Sequence, residues 1–128
     1  MTGSGESVQR NRDRDEMFYP STIDQFADVY LRDHGPTDPL ASPVFGDFDG
    51  FPPLLFHVSD SELLVDDSRR VHEKILETGG ESTLEMFDGV FHGWQIGVGF
   101  LPESDDSLKK AALFILTHIG GSRRRSAE

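Results

Sequence analysis

The sequence predicts an α/β fold in which a parallel β-α-β unit is followed by one long C-terminal helix. Three observations carry that prediction. Leu54-Leu55-Phe56-His57-Val58 is a near-continuous apolar run directly after two prolines, the pattern of a strand covered on both faces. Val71, Ile75 and Leu76 follow Asp66-Asp67-Ser68 at helical spacing, and Gly79-Gly80 is placed to end that helix in a left-handed cap. Thr83-Leu84-Glu85-Met86-Phe87 then alternates as a second strand does. Strand, helix and strand in this order close right-handed with the two strands parallel. Two parallel strands alone do not make a stable sheet, so the unit reads as one side of a larger α/β domain whose other strands lie elsewhere. On that reading the chain is a fragment, or half of an assembly.

The other elements flank this unit. Residues 1–20 are polar and mixed in charge, with no apolar periodicity before Met17, and read as an extended lead-in. Ile23, Phe26, Ala27, Tyr30 and Leu31 recur at helical spacing, with Ser21 as expected cap and Asp24 in the first turn, which predicts a helix over 21–32. Residues 33–53 hold five of the seven prolines and several glycines, the composition of an ordered irregular loop, and its Phe45, Phe48 and Phe51 call for burial. Leu108, Ala111, Ala112, Ile115, Leu116 and Ile119 form the stripe of the last helix, with Ser104 as cap, Asp105 and Asp106 in the first turn and Gly120 at its end. The domain therefore runs over 21–120, and 121–128 reads as a frayed tail.

Composition excludes several functions. With 12 Lys+Arg against 23 Asp+Glu the net charge is −11, which disfavours nucleic acid and anionic membrane surfaces as partners. No stretch approaches the roughly 18 apolar residues of a spanning helix. The absence of cysteine removes disulfides, thiolate metal sites and Cys nucleophiles. No Asp/His spacing suggests a metal, no glycine-rich phosphate loop follows a strand, and no cofactor is implied. The N-terminus lacks the basic-then-apolar order of a signal peptide, so a cytoplasmic location is the default expectation.

In open α/β sheets the reactive groups lie in loops at the carboxyl ends of the strands. Here the first such loop is Ser59-Asp60-Ser61-Glu62 and its sequel to Ser68, and the second is Asp88-Gly89-Val90-Phe91-His92-Gly93-Trp94. An acid in one and a His in its neighbour are what a hydrolase needs to orient an imidazole as general base. Loop carboxylates are also commonly solvated or capping, and spacing alone does not separate the two roles. Phe91 and Trp94 flank His92 and suit either a pocket wall or core filling under the last helix. His57 in the strand and His72 on the helix read as structural or solvent-facing, while His34 and His118 have no motif around them.

Asp38-Pro39-Leu40-Ala41-Ser42-Pro43, Phe51-Pro52-Pro53-Leu54-Leu55, Glu62-Leu63-Leu64-Val65-Asp66-Asp67-Ser68 and Gly89-Val90-Phe91-His92 together resemble the C-terminal part of the α/β-hydrolases related to hormone-sensitive lipase. The similarity extends from about Gly5 to Ile119, taking in Gly5-Glu6-Ser7 and Ala27-Asp28-Val29-Tyr30-Leu31. The resemblance implies a partial α/β-hydrolase fold and a carboxylic ester hydrolase acting on small-molecule esters, with a triad in the order Ser, Asp or Glu, His. It makes His92 the general base and puts the acid in the loop after Val58. Glu62 is the favoured acid and Asp60 the alternative, because the Glu62 register also carries Asp66 and Asp67 into the first turn of the next helix, where they would cap it.

The sequence contains no Gly-x-Ser-x-Gly elbow and no His-Gly-Gly-Gly stretch for oxyanion donors. Ser4 lacks a preceding strand, and Ser59 and Ser61 stand too close to the acid to be its partner nucleophile. The expectation is an acid and a base without their serine, inactive alone. The rival reading is a non-catalytic acidic interaction domain of this fold, which pairs or self-associates through an exposed sheet edge.

Overall fold

The two apolar segments pair as expected, and their register decides where the neighbouring loops emerge. In the computed structural model, which describes residues 4–32 and 35–122, β1 (Leu54–Ser59) and β2 (Ser82–Phe87) form a two-stranded parallel sheet. The pairing runs from Leu54 opposite Ser82 to Ser59 opposite Phe87. The chain divides into two compact units, 1–92 and 93–128. His34 lies outside the described residues.

The first unit also contains α1 (Ser7–Arg10), α2 (Pro20–Leu31) and α3 (Val65–Glu77), the last connecting the two strands. Val71 and Ile75 on one face of α3 meet Phe48 to form the core, with Val44, Leu54 and Phe56 packed against it. Burying side chains of this size contributes roughly 1.5–3 kcal/mol each, which holds the proline-rich loop onto the helix and sheet. Of the three loop phenylalanines only Phe48 is buried. Phe51 meets its ring edge-on at 5.2 Å, and Phe45 lies under the Arg70 guanidinium at 5.9 Å.

Helix α3 ends as expected. Gly79 adopts a φ of 79°, its N–H bonds the Leu76 carbonyl, and the Gly80 N–H reaches back to Ile75 at 2.9 Å. That is the paired-bond stop for which glycine is the least strained residue.

The helix starts differ from expectation. Neither Ser21 nor Ser104 is a cap: α2 begins at Pro20, behind an extended Tyr19, and α4 (Pro102–Ser122) begins at Pro102. Proline at the first helical position presets φ and gives up an N–H that has no partner there, and this outweighs a serine cap one or two residues later. Asp24 consequently falls beyond the first turn of α2. In α3 the cap position is Leu64, and Asp66 and Asp67 lie in the first turn, where they complement the helix dipole without capping. Helix α4 runs on past Gly120 to Ser122, and the rest of the tail lies outside the described residues.

The lead-in differs most. Instead of extending away, Ser7–Arg10 forms a helical turn, and Ser7 and Asn11 are fully buried. Their polar groups serve the loop after β1: Ser7 Oγ donates to the Leu63 carbonyl at 2.6 Å, and Asn11 Nδ2 donates to the carbonyls of Asp60 and Glu62 at 2.8 and 2.9 Å. A loop with this many inward backbone groups needs such partners, because an unmatched buried carbonyl is costly.

In the second unit, α4 packs on the turn Trp94–Gly97. Ser104 bonds the Trp94 carbonyl, Gln95 Nε2 donates to Ser107 Oγ at 3.1 Å, and the Gly99 N–H donates to Asp105 at 3.1 Å. No helix of the described residues is long and apolar enough to cross a membrane.

Candidate active site

The Ser59–Phe87 pairing brings the carboxyl ends of β1 and β2 level, so the two loops that follow emerge side by side. The Asp60 N–H extends the ladder by one bond to the Phe87 carbonyl at 3.0 Å. Ser59 Oγ, 2.9 Å from Ser61 Oγ, donates to the Val90 carbonyl at 2.5 Å, tying the first loop to the second. These two serines thus spend their hydroxyls on loop structure. Gly89, with a φ of 65°, supplies the left-handed turn that sends the second loop back over the first.

Across this junction Glu62 Oε2 lies 2.5 Å from His92 Nδ1, although 30 residues separate them. The other carboxylate oxygen of Glu62 accepts the Ser59 N–H at 2.8 Å, which fixes the group at both ends. Glu62 is nearly sealed, with 6% of its side chain exposed, whereas His92 keeps 43% of its own in contact with solvent. An ionised carboxylate only accepts, so Nδ1 carries the proton and Nε2 offers its lone pair. The bond to Glu62 raises the His92 pKa above 6.5; burial works against it, and the charges of Glu62 and Asp15 add to it. The ring of Phe18 lies against the imidazole at 5.2 Å.

Asp60 points elsewhere. Its carboxylate takes Arg14 Nη2 at 2.7 Å and the Gly89 N–H at 3.4 Å, and the Arg14 bond holds its pKa below the usual carboxylate range against the opposing effect of burial. Asp66 receives the Ser7 N–H and Arg10 at 2.7 and 2.8 Å; burial pushes its pKa up, but these donors outweigh it and the net direction is down. Burial raises Asp67.

Phe91 is partly buried. Trp94, in the second unit, is buried with its indole N–H donating to the Glu103 carbonyl at 3.2 Å, the arrangement of an aromatic that fills a core. His57 stacks edge-on to Phe87 at 5.3 Å, His72 Nδ1 is 2.8 Å from Ser82 Oγ, and His118 Nδ1 is 2.7 Å from the Phe114 carbonyl. Among the described residues no group of three or more His, Asp or Glu could hold a metal ion.

The lead-in residues Ser7, Asn11, Asp15 and Phe18 are the part of this site that sequence reasoning missed. The one available signal was Asp15 two residues ahead of Met17, the spacing of a turn in which a carboxylate accepts its own downstream amides.

The family described as the alpha/beta hydrolase fold matches residues 2–96, which include both loops. The chain belongs to that family. An acetyl-hydrolase of Streptomyces hygroscopicus is 34% identical to it over 116 residues, covering 91% of this chain and 39% of that protein. An esterase of Acinetobacter venetianus is 31% identical, covering 89% and 38%. Among solved structures, an esterase from the bacterial hormone-sensitive lipase family superposes with a TM-score of 0.90 at 33% identity over 93% of this chain and 40% of that one. EstE5, soaked with p-nitrophenyl butyrate, gives 0.86 at 33% identity over 91% and 39%. This member of the alpha/beta hydrolase fold family is thus an HSL-like esterase relative that spans about two fifths of the length of the proteins it matches.

Proposed function

We propose that this chain supplies the acid and the base of a serine carboxylic ester hydrolase, with Glu62 as the acid and His92 as the base. The observation that carries the reading is the Glu62–His92 contact of 2.5 Å at the level ends of two parallel strands. The nucleophile is a serine on a Gly-x-Ser-x-Gly elbow outside these 128 residues, joined to this chain in the complete α/β-hydrolase domain. As that serine attacks the ester carbonyl carbon, His92 Nε2 takes its hydroxyl proton, and Glu62 steadies the imidazolium that results. Collapse of the tetrahedral intermediate expels the alcohol, which leaves with the proton from His92. Water, deprotonated by the same nitrogen, then releases the carboxylic acid and frees the serine.

The relatives support a small-molecule ester as substrate, one being an acetyl-hydrolase and another having been soaked with a butyrate ester. The test joins this chain to the nucleophile-bearing portion of a relative and follows p-nitrophenyl butyrate hydrolysis. The expected result is turnover in the joined protein, none in the isolated chain, and a loss on the order of 10⁴-fold or more in His92→Ala. Turnover unchanged by His92→Ala overturns the reading.

A further inference from the structure

Asp15 is a buried carboxylate outside the Glu62–His92 pair. Asp15 is 8% exposed and touches neither the imidazole nor Glu62 itself by any hydrogen bond, yet it is bonded to both of their supports. Oδ2 accepts the N–H of Leu63 at 2.8 Å, the amide directly after Glu62. Oδ1 accepts the N–H groups of Met17 and Phe18 at 2.9 and 3.0 Å, and the Phe18 ring is the one lying 5.2 Å from His92. On the opposite side of the same peptide unit, Asn11 Nδ2 donates to the Glu62 carbonyl at 2.9 Å, and the Asn11 carbonyl in turn accepts the Asp15 N–H at 3.0 Å. The peptide joining Glu62 to Leu63 is therefore gripped at its carbonyl by Asn11 and at its amide by Asp15.

We propose that Asp15 is the positioning residue of this site, fixing the Glu62 backbone with one carboxylate oxygen and the aromatic wall of His92 with the other. The inference rests on the acid–base reading of Glu62 and His92. A carboxylate suits the task because it alone among side chains of this size accepts three backbone amides at once without donating, and the bonds of an ionised acceptor are about twice as strong as neutral ones. Small errors in the placement of a catalytic pair cost rate steeply, about 100-fold for 1 Å. The Glu62 hydrogen bond raises the affinity of His92 for a proton and the charges of Glu62 and Asp15 add to it, so removing either carboxylate lowers that affinity.

The experiment is a pH titration of the full chain labelled with ¹⁵N-histidine, whose five imidazoles keep the spectrum readable even in an associated state. The readouts are the His92 pKa and the downfield Nδ1–H proton of its bond to a carboxylate. Asp15→Asn keeps the size and one acceptor but loses the charge and the second acceptor. It is expected to lower the His92 pKa and to shift the Nδ1–H proton upfield or broaden it, with the other imidazoles unchanged. A stability loss with both His92 signals unmoved means that Asp15 is only structural, and overturns the proposal. Phe18→Leu tests the other arm and decides alone if Asp15→Asn does not fold: a weakened Nδ1–H signal supports the proposal, and an unmoved one overturns it. Glu62→Gln separates the two readings. If it leaves the His92 pKa and Nδ1–H proton as they are, the Glu62–His92 assignment fails and Asp15 has no pair to position; if it abolishes the signal while Asp15→Asn and Phe18→Leu do not affect it, only the Asp15 proposal fails.

Discussion

Arg14 and Asp60 form an ion pair of 2.7 Å, and this pairing bears on which carboxylate of the loop is left to serve His92. Asp60 also accepts the Gly89 N–H, so its two oxygens are engaged at the rim of the loop while Glu62 faces inward. In the joined enzyme, Glu62→Gln is expected to reduce turnover on the order of 10⁴-fold, the cost of leaving a triad imidazole without its orienting carboxylate. Asp60→Asn retains hydrogen-bonding capacity toward Arg14 and is expected to cost about tenfold or less. Steady-state kinetics with both variants, alongside melts to show that each is folded, decides between the two carboxylates. A crippled Asp60→Asn and a near-normal Glu62→Gln would move the acid two residues upstream.

The pH dependence follows from the same pair. A base must be neutral to accept a proton, and the Glu62 bond raises the His92 pKa above 6.5. The acid limb of kcat/KM is therefore expected at a pH above 6.5 in the parent enzyme and lower in Glu62→Gln. The stability term has the opposite sense. Because the folded pKa exceeds the unfolded one, protonated His92 adds stability that is fully present below the unfolded value and disappears as pH rises through the folded value. Rate and stability thus change in opposite directions across this window, and melting curves beside a kinetic pH profile check both. A His92→Ala chain whose melting temperature tracks pH as the parent's does would contradict the stability part.

The β-α-β unit is legible in the sequence because its boundaries are written in local chemistry. Pro52-Pro53 precedes Leu54, and Gly79-Gly80 permits the paired-bond helix stop, so each limit is set within a few residues. The helix starts at Pro20 and Pro102 are less legible, since a proline and a nearby serine both mark a beginning and only the backbone geometry ranks them. The lead-in is the least legible part: Gly5-Glu6-Ser7 shares in the family resemblance and Asp15 stands at turn spacing before Met17, but neither says where the segment docks. Ser7 and Asn11 complement carbonyls 56 and 51 residues away, and a hydrogen-bond match to a distant loop leaves no periodic trace. The same holds within the site: the register of the next helix favours Glu62 over Asp60, but the ion pair that engages Asp60 comes from Arg14, an exposed residue of the lead-in 46 residues away.

The anchoring of the lead-in makes a stability prediction with two unequal arms. Ser7→Ala removes the donor to the buried Leu63 carbonyl and leaves that group unmatched, at an expected cost of about 1–3 kcal/mol. Arg10→Ala removes an ion pair to Asp66 whose arginine is 46% exposed, and solvent screening limits its contribution to about 1 kcal/mol or less. Urea unfolding of the two variants is expected to rank Ser7→Ala well below Arg10→Ala. The reverse order would mean that the lead-in is held by charge rather than by burial of its polar groups.

A final prediction concerns association. On α2, Phe26, Val29 and Tyr30 are exposed, and on α4 so are Leu113, Ile115, Leu116 and Ile119. The sheet has two strands, so each presents one unpaired edge among the described residues. Exposed apolar rows and open strand edges are the two surfaces that drive proteins together, and a net charge of −11 opposes them only at low ionic strength, where it is unscreened. The isolated chain is expected to form concentration-dependent oligomers that grow with added salt. Leu113→Lys/Leu116→Lys places charge on the exposed row of α4 without touching the sheet, and sedimentation velocity then apportions the effect. Dissociation of this double variant assigns the contact to the helix, and unchanged oligomers assign it to the strand edges or to α2. A parent chain that sediments as one monomeric species at every concentration and salt would contradict the prediction, because it would require these apolar rows to remain in water with no cost large enough to drive pairing.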